Sequence, residues 1–362
     1  MSYTKNQHFS VLAETTSAVI PFMDAVAYAD IKQAALRTSI SPSMERGLKR
    51  RREGLLLRPL LVRMCYELTG GQAWLEQVPI MASVELLNLS TYQSNYCFDE
   101  KAGINTASEK NNQFICSMLT VSKAVSVLES FMEATNTPKA GMVSLLAKSN
   151  HEVYLGQFQD INVLNLDNVG NFRSLDDFLP MYLSRCDLIA GSTFRACAAG
   201  AMVNDTSSEI LNTLFTYLSQ LGIAAQMVND LGDFIPHTTK DYATPFSDFR
   251  LGRLTLPIFL LQKAGFPLDR WRRHLRKNGH LKPIETALVE AIKDLEVESM
   301  VRGVIKKYAF PKIKSCLSIL ETTFGPNRSS AFRFAYPYIF DSRLLRYFRK
   351  DAKRAWSEDK EA

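Results

Sequence analysis

The sequence has little of what several chemistries need. It holds five histidines and six cysteines, with no CxxC pair and no companion histidines at zinc-binding spacing, which excludes the common structural zinc sites. The cysteines, at 65, 97, 116, 186, 197 and 316, are scattered; they read as buried thiols in a reducing compartment and not as a disulfide framework. Runs of strict apolar–polar alternation are missing, as is any fixed-period repeat, so neither a sheet nor a solenoid is expected. Charges or glycine cut the apolar runs within about a dozen residues, short of the roughly 18–20 that a bilayer span requires. The opening MSYTKNQHFSVLAETT lacks a charged head, a long apolar core and a small-residue cleavage site, so no secretory signal is expected. These absences point to a cytoplasmic protein with no stable membrane insertion. No Pro/Gly/Ser-rich linker divides the chain, and residues 1–362 are expected to form a single domain.

What is present is helical periodicity from end to end. Hydrophobic residues make up 46% and charged residues 22%, enough to fill a large core beneath a charged surface. Segments 73–98, 107–134 and 208–234 are apolar around most of their circumference, as helices in the middle of a bundle are. Breakers at Gly70-Gly71, Gly103, 136–141, 164–177, 204–208, 236–252, 265–267, 278–283 and Gly325-Pro326 separate long helices. Asn204-Asp205-Thr206 is expected to cap the helix that starts at 208. The fold class is therefore all-α, a single large antiparallel helix bundle. The net charge of +6 is concentrated in Arg46, Lys49, Arg50, Arg51 and Arg52 and in a basic tail helix at about 329–356 that carries Arg343, Arg346, Arg349, Lys350, Lys353 and Arg354. Such clusters suit nucleic acid, anionic lipid, a phosphorylated substrate or plain solvation. No nucleic-acid-binding module accompanies them, and no nucleic-acid partner is expected.

The chemistry is concentrated in Ala224–Asp233, AAQMVNDLGD. Asn229 and Asp233 lie four apart on one helix face and Asp230 flanks them, an all-oxygen set of the kind that suits Mg²⁺ sharing its shell with phosphates. The alternative is a helix end with capping side chains. Downstream, Lys240, Arg250 and Arg253 supply cations suited to a diphosphate.

Taken together, five motifs resemble those of trans-isoprenyl diphosphate synthases. Gly222–Asp233 resembles the second aspartate-rich motif, and Ser247-Asp248 through Thr255-Leu256-Pro257 resembles the SDxxxGKxTLP segment after it. Gly54-Leu55-Leu56-Leu57-Arg58-Pro59 resembles GKRLRP, Glu85-Leu86-Leu87-Asn88 resembles ELIH, and Gly156-Gln157-Phe158-Gln159-Asp160 resembles GQxxD. The resemblance spans about residues 40–325 and implies a bundle around a deep apolar cavity, commonly a homodimer. It also implies two acidic motifs that bridge up to three magnesium ions to an allylic diphosphate. On that basis Asn229, Asp230, Asp233 and Asp99 are metal ligands, Asp230 and Gln157 are catalytic, and Lys240, Arg253, Arg185 and Arg58 bind diphosphate. Asn88, Ser90, Thr91, Tyr92, Tyr96 and Gln226 line the pocket. The small Ser90 and Thr91, where the family places bulky residues to limit chain length, imply a substrate of fifteen carbons or more, unless Tyr92 or Tyr96 caps the pocket.

Three departures shape the functional expectation. The first DDxxD reads Asn95, Tyr96 and Asp99, and a phenol that titrates near 10 replaces no carboxylate at neutral pH. Leu55 stands where the isopentenyl-binding lysine belongs. The usual Lys-Thr pair has no clean match in Arg185–Ile189. Loss of two or three charge-assisted bonds weakens a diphosphate site by orders of magnitude. The leading expectation is therefore a terpene synthase-like enzyme that ionises one allylic prenyl diphosphate, followed by cyclisation, elimination or transfer to an acceptor without a diphosphate. The alternatives are chain elongation with isopentenyl diphosphate and a noncatalytic regulatory subunit.

Overall fold

The protein, seen here as a computed structural model, is described over residues 5–98, 106–135, 140–234, 246–278 and 282–335. Its first half runs through α1 (Lys5–Ala27), α2 (Ala34–Arg52), α3 (Leu57–Leu68), α4 (Val78–Phe98), α5 (Ala107–Thr135) and α6 (Ala140–Asn162). After a 3₁₀ turn at Leu166–Asn171 come α7 (Leu175–Cys186), a π turn (Asp187–Gly191), the short α8 (Ser192–Arg195) and α9 (Ala199–Met202), and then α10 (Ser208–Gly232). The remainder is α11 (Ser247–Leu251), α12 (Leu256–Lys263), α13 (Leu268–Asn278), α14 (Lys282–Asp294), α15 (Val297–Tyr308) and α16 (Phe310–Ser329). Among the described residues there is no strand; a single antiparallel bridge pairs Asn165 with Arg253.

The all-circumference apolar segments are central, as expected. α4 packs along α5, and α10 touches α7, α8, the π turn, α12, α15 and α16. One hydrophobic cluster extends from Leu12 to Ala335. Local signals set the helix starts: Ser174 and Asp177 form a reciprocal capping box on α7. α10 is capped by Ser207, not by Asn204-Asp205-Thr206. The Asn204 amide is instead spent on the Tyr66 carbonyl and the Thr69 hydroxyl, which ties the turn to α3.

Two features correct the sequence reading. Gln7–Ala27 and Ala107–Thr135 reach the length and mean hydropathy of a bilayer span. Each has a face buried in the bundle, Leu12, Val19 and Met23 on α1 and Cys116, Ala124, Leu128 and Met132 on α5, but α5 also exposes Phe114, Ile115, Met118 and Leu119. The basic run on α2 is split by helical geometry. Arg46 and Arg51 turn inward over the rings of Tyr96 and Tyr92, while Arg52 pairs with Asp24 and Glu45 near the surface. The basic tail from 336 onward lies outside the described residues.

The cysteines are free; five are buried and Cys97 is half-buried. Burial pushes the thiols of Cys116, Cys186 and Cys197 up to about 12. A groove of about 430 Å³ opens between the α1–α2 corner, α4 and α5, lined by Ile31, Leu36, Ile40, Met44 and Leu86 among others.

Candidate active site

The sequence-nominated residues gather in two polar centres inside the bundle. The first is built on the ends of α6, α7 and α10. Asp160, at the end of the GQFQD stretch on α6, receives Arg185 Nε at 2.8 Å and pairs with Arg253 Nε at 3.2 Å. Arg185 also reaches Asp230 on α10, its Nη1 donating to Oδ2 at 2.6 Å. Tyr182 donates to the same oxygen at 2.7 Å, and the Gln226 amide donates to Oδ1 at 2.7 Å. Asp160, Arg185, Asp230 and Arg253 are all buried, and Asp230 is 0% exposed.

Local structure explains this closeness. The π turn abuts α10 at Gly191, where a side chain on Gly222 would meet backbone atoms at 2.6–2.8 Å, so the two segments approach as only glycine permits. The rings of Phe259, Phe178 and Tyr182 stack in succession, at 4.3 and 5.3 Å between centroids, and aim the Tyr182 hydroxyl at Asp230. Arg253 is delivered by paired loops: Leu166 N–H donates to the Gly252 carbonyl and Leu254 N–H to the Leu164 carbonyl, both at 2.8 Å. It also donates to the Phe98 carbonyl at the end of α4. Burial opposes the charge on Arg185, but Asp160 and Asp230 hold its guanidinium well above the ordinary value. Burial and Asp230 push the Tyr182 phenol up, keeping it a donor.

Asp233 is committed elsewhere. Its carboxylate accepts from the N–H and hydroxyl of Ser247 and from the N–H groups of Asp248 and Phe249, capping α11. Burial pushes it up to about 7 against those donors. Asn229 is exposed.

The expected magnesium ligands therefore do not fit the ion as arranged. Protein donors already occupy both oxygens of Asp230 and of Asp233, and Asn229 is a neutral, exposed side chain. No group of three His, Cys, Asp or Glu side chains suited to a metal exists among the described residues. The described residues thus form no open acidic face of their own. Asp99 and Lys240 lie outside the described residues. Arg185 and Arg253, expected to face a diphosphate, face carboxylates instead.

The second centre lies at the junction of α2, α3, α4 and α8. Arg58 is held by Thr193, its Nε and Nη2 donating to Oγ1 at 3.2 and 3.0 Å, and it lies over the Phe194 ring at 4.7 Å. Glu85, 2% exposed, accepts from the Asn88 amide at 2.9 Å and pairs with Arg51 Nε at 2.8 Å. Burial lowers the Arg58 guanidinium from its ordinary value, with Glu85 and Tyr92 opposing the shift and Arg51 adding to it. These four groups therefore share one electrostatic environment.

The remaining pocket residues are more closed than expected. The hydroxyls of Ser90 and Thr91 donate back to the Leu87 and Asn88 carbonyls, and Ser90 backs onto Ser117 of α5. Tyr96 is buried against Arg46, and Tyr92 is covered by Arg51. Gln157 is buried on α6 one turn before Asp160. Sequence reasoning did not nominate Asp160, Tyr182, Arg51, Glu85 or Thr193. The final residue of GQFQD was the available signal for Asp160, and the basic run 46–52 for Arg51.

Comparison with known proteins agrees with this architecture. A polyprenyl synthetase sequence model matches residues 95–291, more than half of the chain. A prenyl transferase of Porphyra purpurea is 36% identical over 95 residues, 25% of this chain and 28% of that relative, so the match spans only about a quarter of the relative's length. Among solved structures, a polyprenyl synthase from Caulobacter crescentus CB15 complexed with calcium and isoprenyl diphosphate superposes with a TM-score of 0.68. Its identity is 16%, over 92% of this chain and 98% of that one. A decaprenyl diphosphate synthase from Rhodobacter capsulatus gives a TM-score of 0.64 at 18% identity, covering 91% and 99% of the two chains. At these identities the structural likeness concerns the fold, while the sequence match carries the assignment: the chain belongs to the polyprenyl synthetase family.

Proposed function

We propose that this protein is a single-domain prenyltransferase that lengthens an allylic prenyl diphosphate, of fifteen carbons or more, with isopentenyl diphosphate. This replaces the single-substrate, terpene synthase-like reading as the leading one. The observation that carries it is the presence of two separate arginine centres, Arg185 with Arg253 around Asp160 and Arg58 with Arg51 near Glu85. Condensing two diphosphates needs two cationic sites; ionising one substrate needs a single site. Along α4 the centres are separated by the rise from residue 88 to 98, about 15 Å.

In this reading Arg58 anchors the isopentenyl diphosphate. Arg185 and Arg253 exchange part of their pairing with Asp160 and Asp230 for the allylic diphosphate, stabilising charge that builds on the leaving group. The allylic C–O bond breaks with its electron pair leaving on diphosphate, the isopentenyl double bond attacks the cation, and a proton is lost. The apolar bundle keeps water from capturing the cation. No step is assigned to magnesium, because the ligands described do not form its site.

The test is to incubate the purified protein with labelled isopentenyl diphosphate and geranyl, farnesyl or geranylgeranyl diphosphate, with Mg²⁺ or with EDTA. Label entering a longer prenyl product from the two longer substrates is expected. Diphosphate release without incorporation returns the reading to single-substrate ionisation.

A second reading, a noncatalytic subunit of a prenyl synthase, is favoured by the protein donors that already engage the carboxylates of Asp230 and Asp233. It predicts no turnover with any substrate pair. For self-association, the apolar stripe of Phe114, Ile115 and Met118 on α5 with Leu155 and Phe158 on α6 supports a homodimer; Ser117 and Tyr154 are in contact across the two helices. Ile115→Glu is expected to yield a monomer in light scattering.

A further inference from the structure

We propose that Arg51 replaces the lysine missing at position 55 and supplies the second cation of the isopentenyl diphosphate site, beside Arg58. This deepens the elongation reading and rests on it. Leu55, 46% exposed, offers a diphosphate neither charge nor a hydrogen bond.

Arg51 lies in the last turn of α2. The chain then passes through Glu53–Leu56 and enters α3, which brings Arg58 within electrostatic reach of both Arg51 and Glu85. The Arg51 guanidinium has one face over Tyr92 at 4.4 Å, and its Nε is 2.8 Å from Glu85 Oε1. Its side chain is only 11% exposed, and Nη2 is buried without any hydrogen-bond partner among the described residues. A buried guanidinium N–H without an acceptor is costly, and an anion bound there would satisfy it.

Charge leads to the same conclusion. Among the described residues, Glu85 pairs with Arg51 and acts electrostatically on Arg58, and it also accepts from the neutral Asn88 amide. One positive charge is in surplus within a buried space, an arrangement that a bound diphosphate would neutralise. The planar fork of arginine also suits phosphate oxygens better than the lysine it replaces. The surplus charge and the unpartnered donor occur together at Arg51, within reach of Arg58.

The experiment is equilibrium dialysis of radiolabelled isopentenyl diphosphate against the full-length protein and its Arg51→Gln, Arg51→Gln/Leu55→Lys and Glu85→Gln variants, each first checked for native circular dichroism. Arg51→Gln is expected to weaken binding roughly ten- to hundred-fold, the loss of one charge-assisted contact. Leu55→Lys in that background is expected to recover most of the loss, and Glu85→Gln, by releasing both arginines, to tighten binding. Arg51→Lys serves as the conservative variant if Arg51→Gln fails to fold, and is expected to retain binding within about ten-fold. Wild-type binding that survives Arg51→Gln, or that Leu55→Lys does not restore, overturns this role for Arg51 alone. A wild-type protein that binds no isopentenyl diphosphate overturns the elongation reading together with it.

Discussion

The two polar centres use the same residue types to opposite ends. Around Asp230, two carboxylates meet two arginines, Tyr182 and Gln226 add further donors, and the charges balance. Around Glu85, two arginines meet one carboxylate, and a guanidinium nitrogen is left without an acceptor. The first has its charges balanced by its own side chains; the second carries one positive charge in excess of its carboxylate. A buried charge is tolerated when it is paired, so the unpaired one is where a ligand is to be sought.

The largest effect expected from this contrast is that of Asp230→Ala. Removing the acid leaves Arg185 and Tyr182 facing a buried gap, and destabilisation of about 3–5 kcal/mol is expected in urea unfolding. A metal ligand with no structural duty would instead lose activity at unchanged stability. Asp233→Ala removes the cap of α11, with an expected cost of about 1–2 kcal/mol by the same measurement. Thr193→Val deletes the acceptor that orients Arg58; it is expected to cost about 1 kcal/mol in stability and to raise KM for isopentenyl diphosphate with kcat little changed. Asn229→Ala, on an exposed side chain, is expected to stay within about 0.5 kcal/mol of wild type. A large activity loss from Asn229→Ala with native stability would restore the open metal face that the described geometry lacks.

Much of the fold was legible because its signals are local. The apolar circumference of 208–234 anticipated the central helix α10, and the breakers at 204–208 and 236–252 bounded it within a few residues. The family resemblance brought Asp230, Arg185, Arg253 and Arg58 into view. It did not reveal that three of them bond within one network, because partners 25 to 93 residues apart are chosen by helix packing, which spacing does not encode. For the same reason Asn229-Asp230-Asp233 read as one ligand set: they share a helix end, yet Asp230 points into the bundle, Asp233 turns to Ser247 and Asn229 faces solvent. Arg51 was hidden in a basic run that resembles a solvated face, until the turn of α2 set it apart from Lys49 and Arg52.

The most direct test of the contrast is calorimetric titration of isopentenyl diphosphate into the wild-type protein in EDTA, repeated with Mg²⁺. The open centre at Arg51 and Arg58 predicts one equivalent bound without metal, with affinity little altered when magnesium is added. Binding that appears only with magnesium, or no binding in either condition, would contradict the assignment of an open cationic centre beside a charge-balanced one.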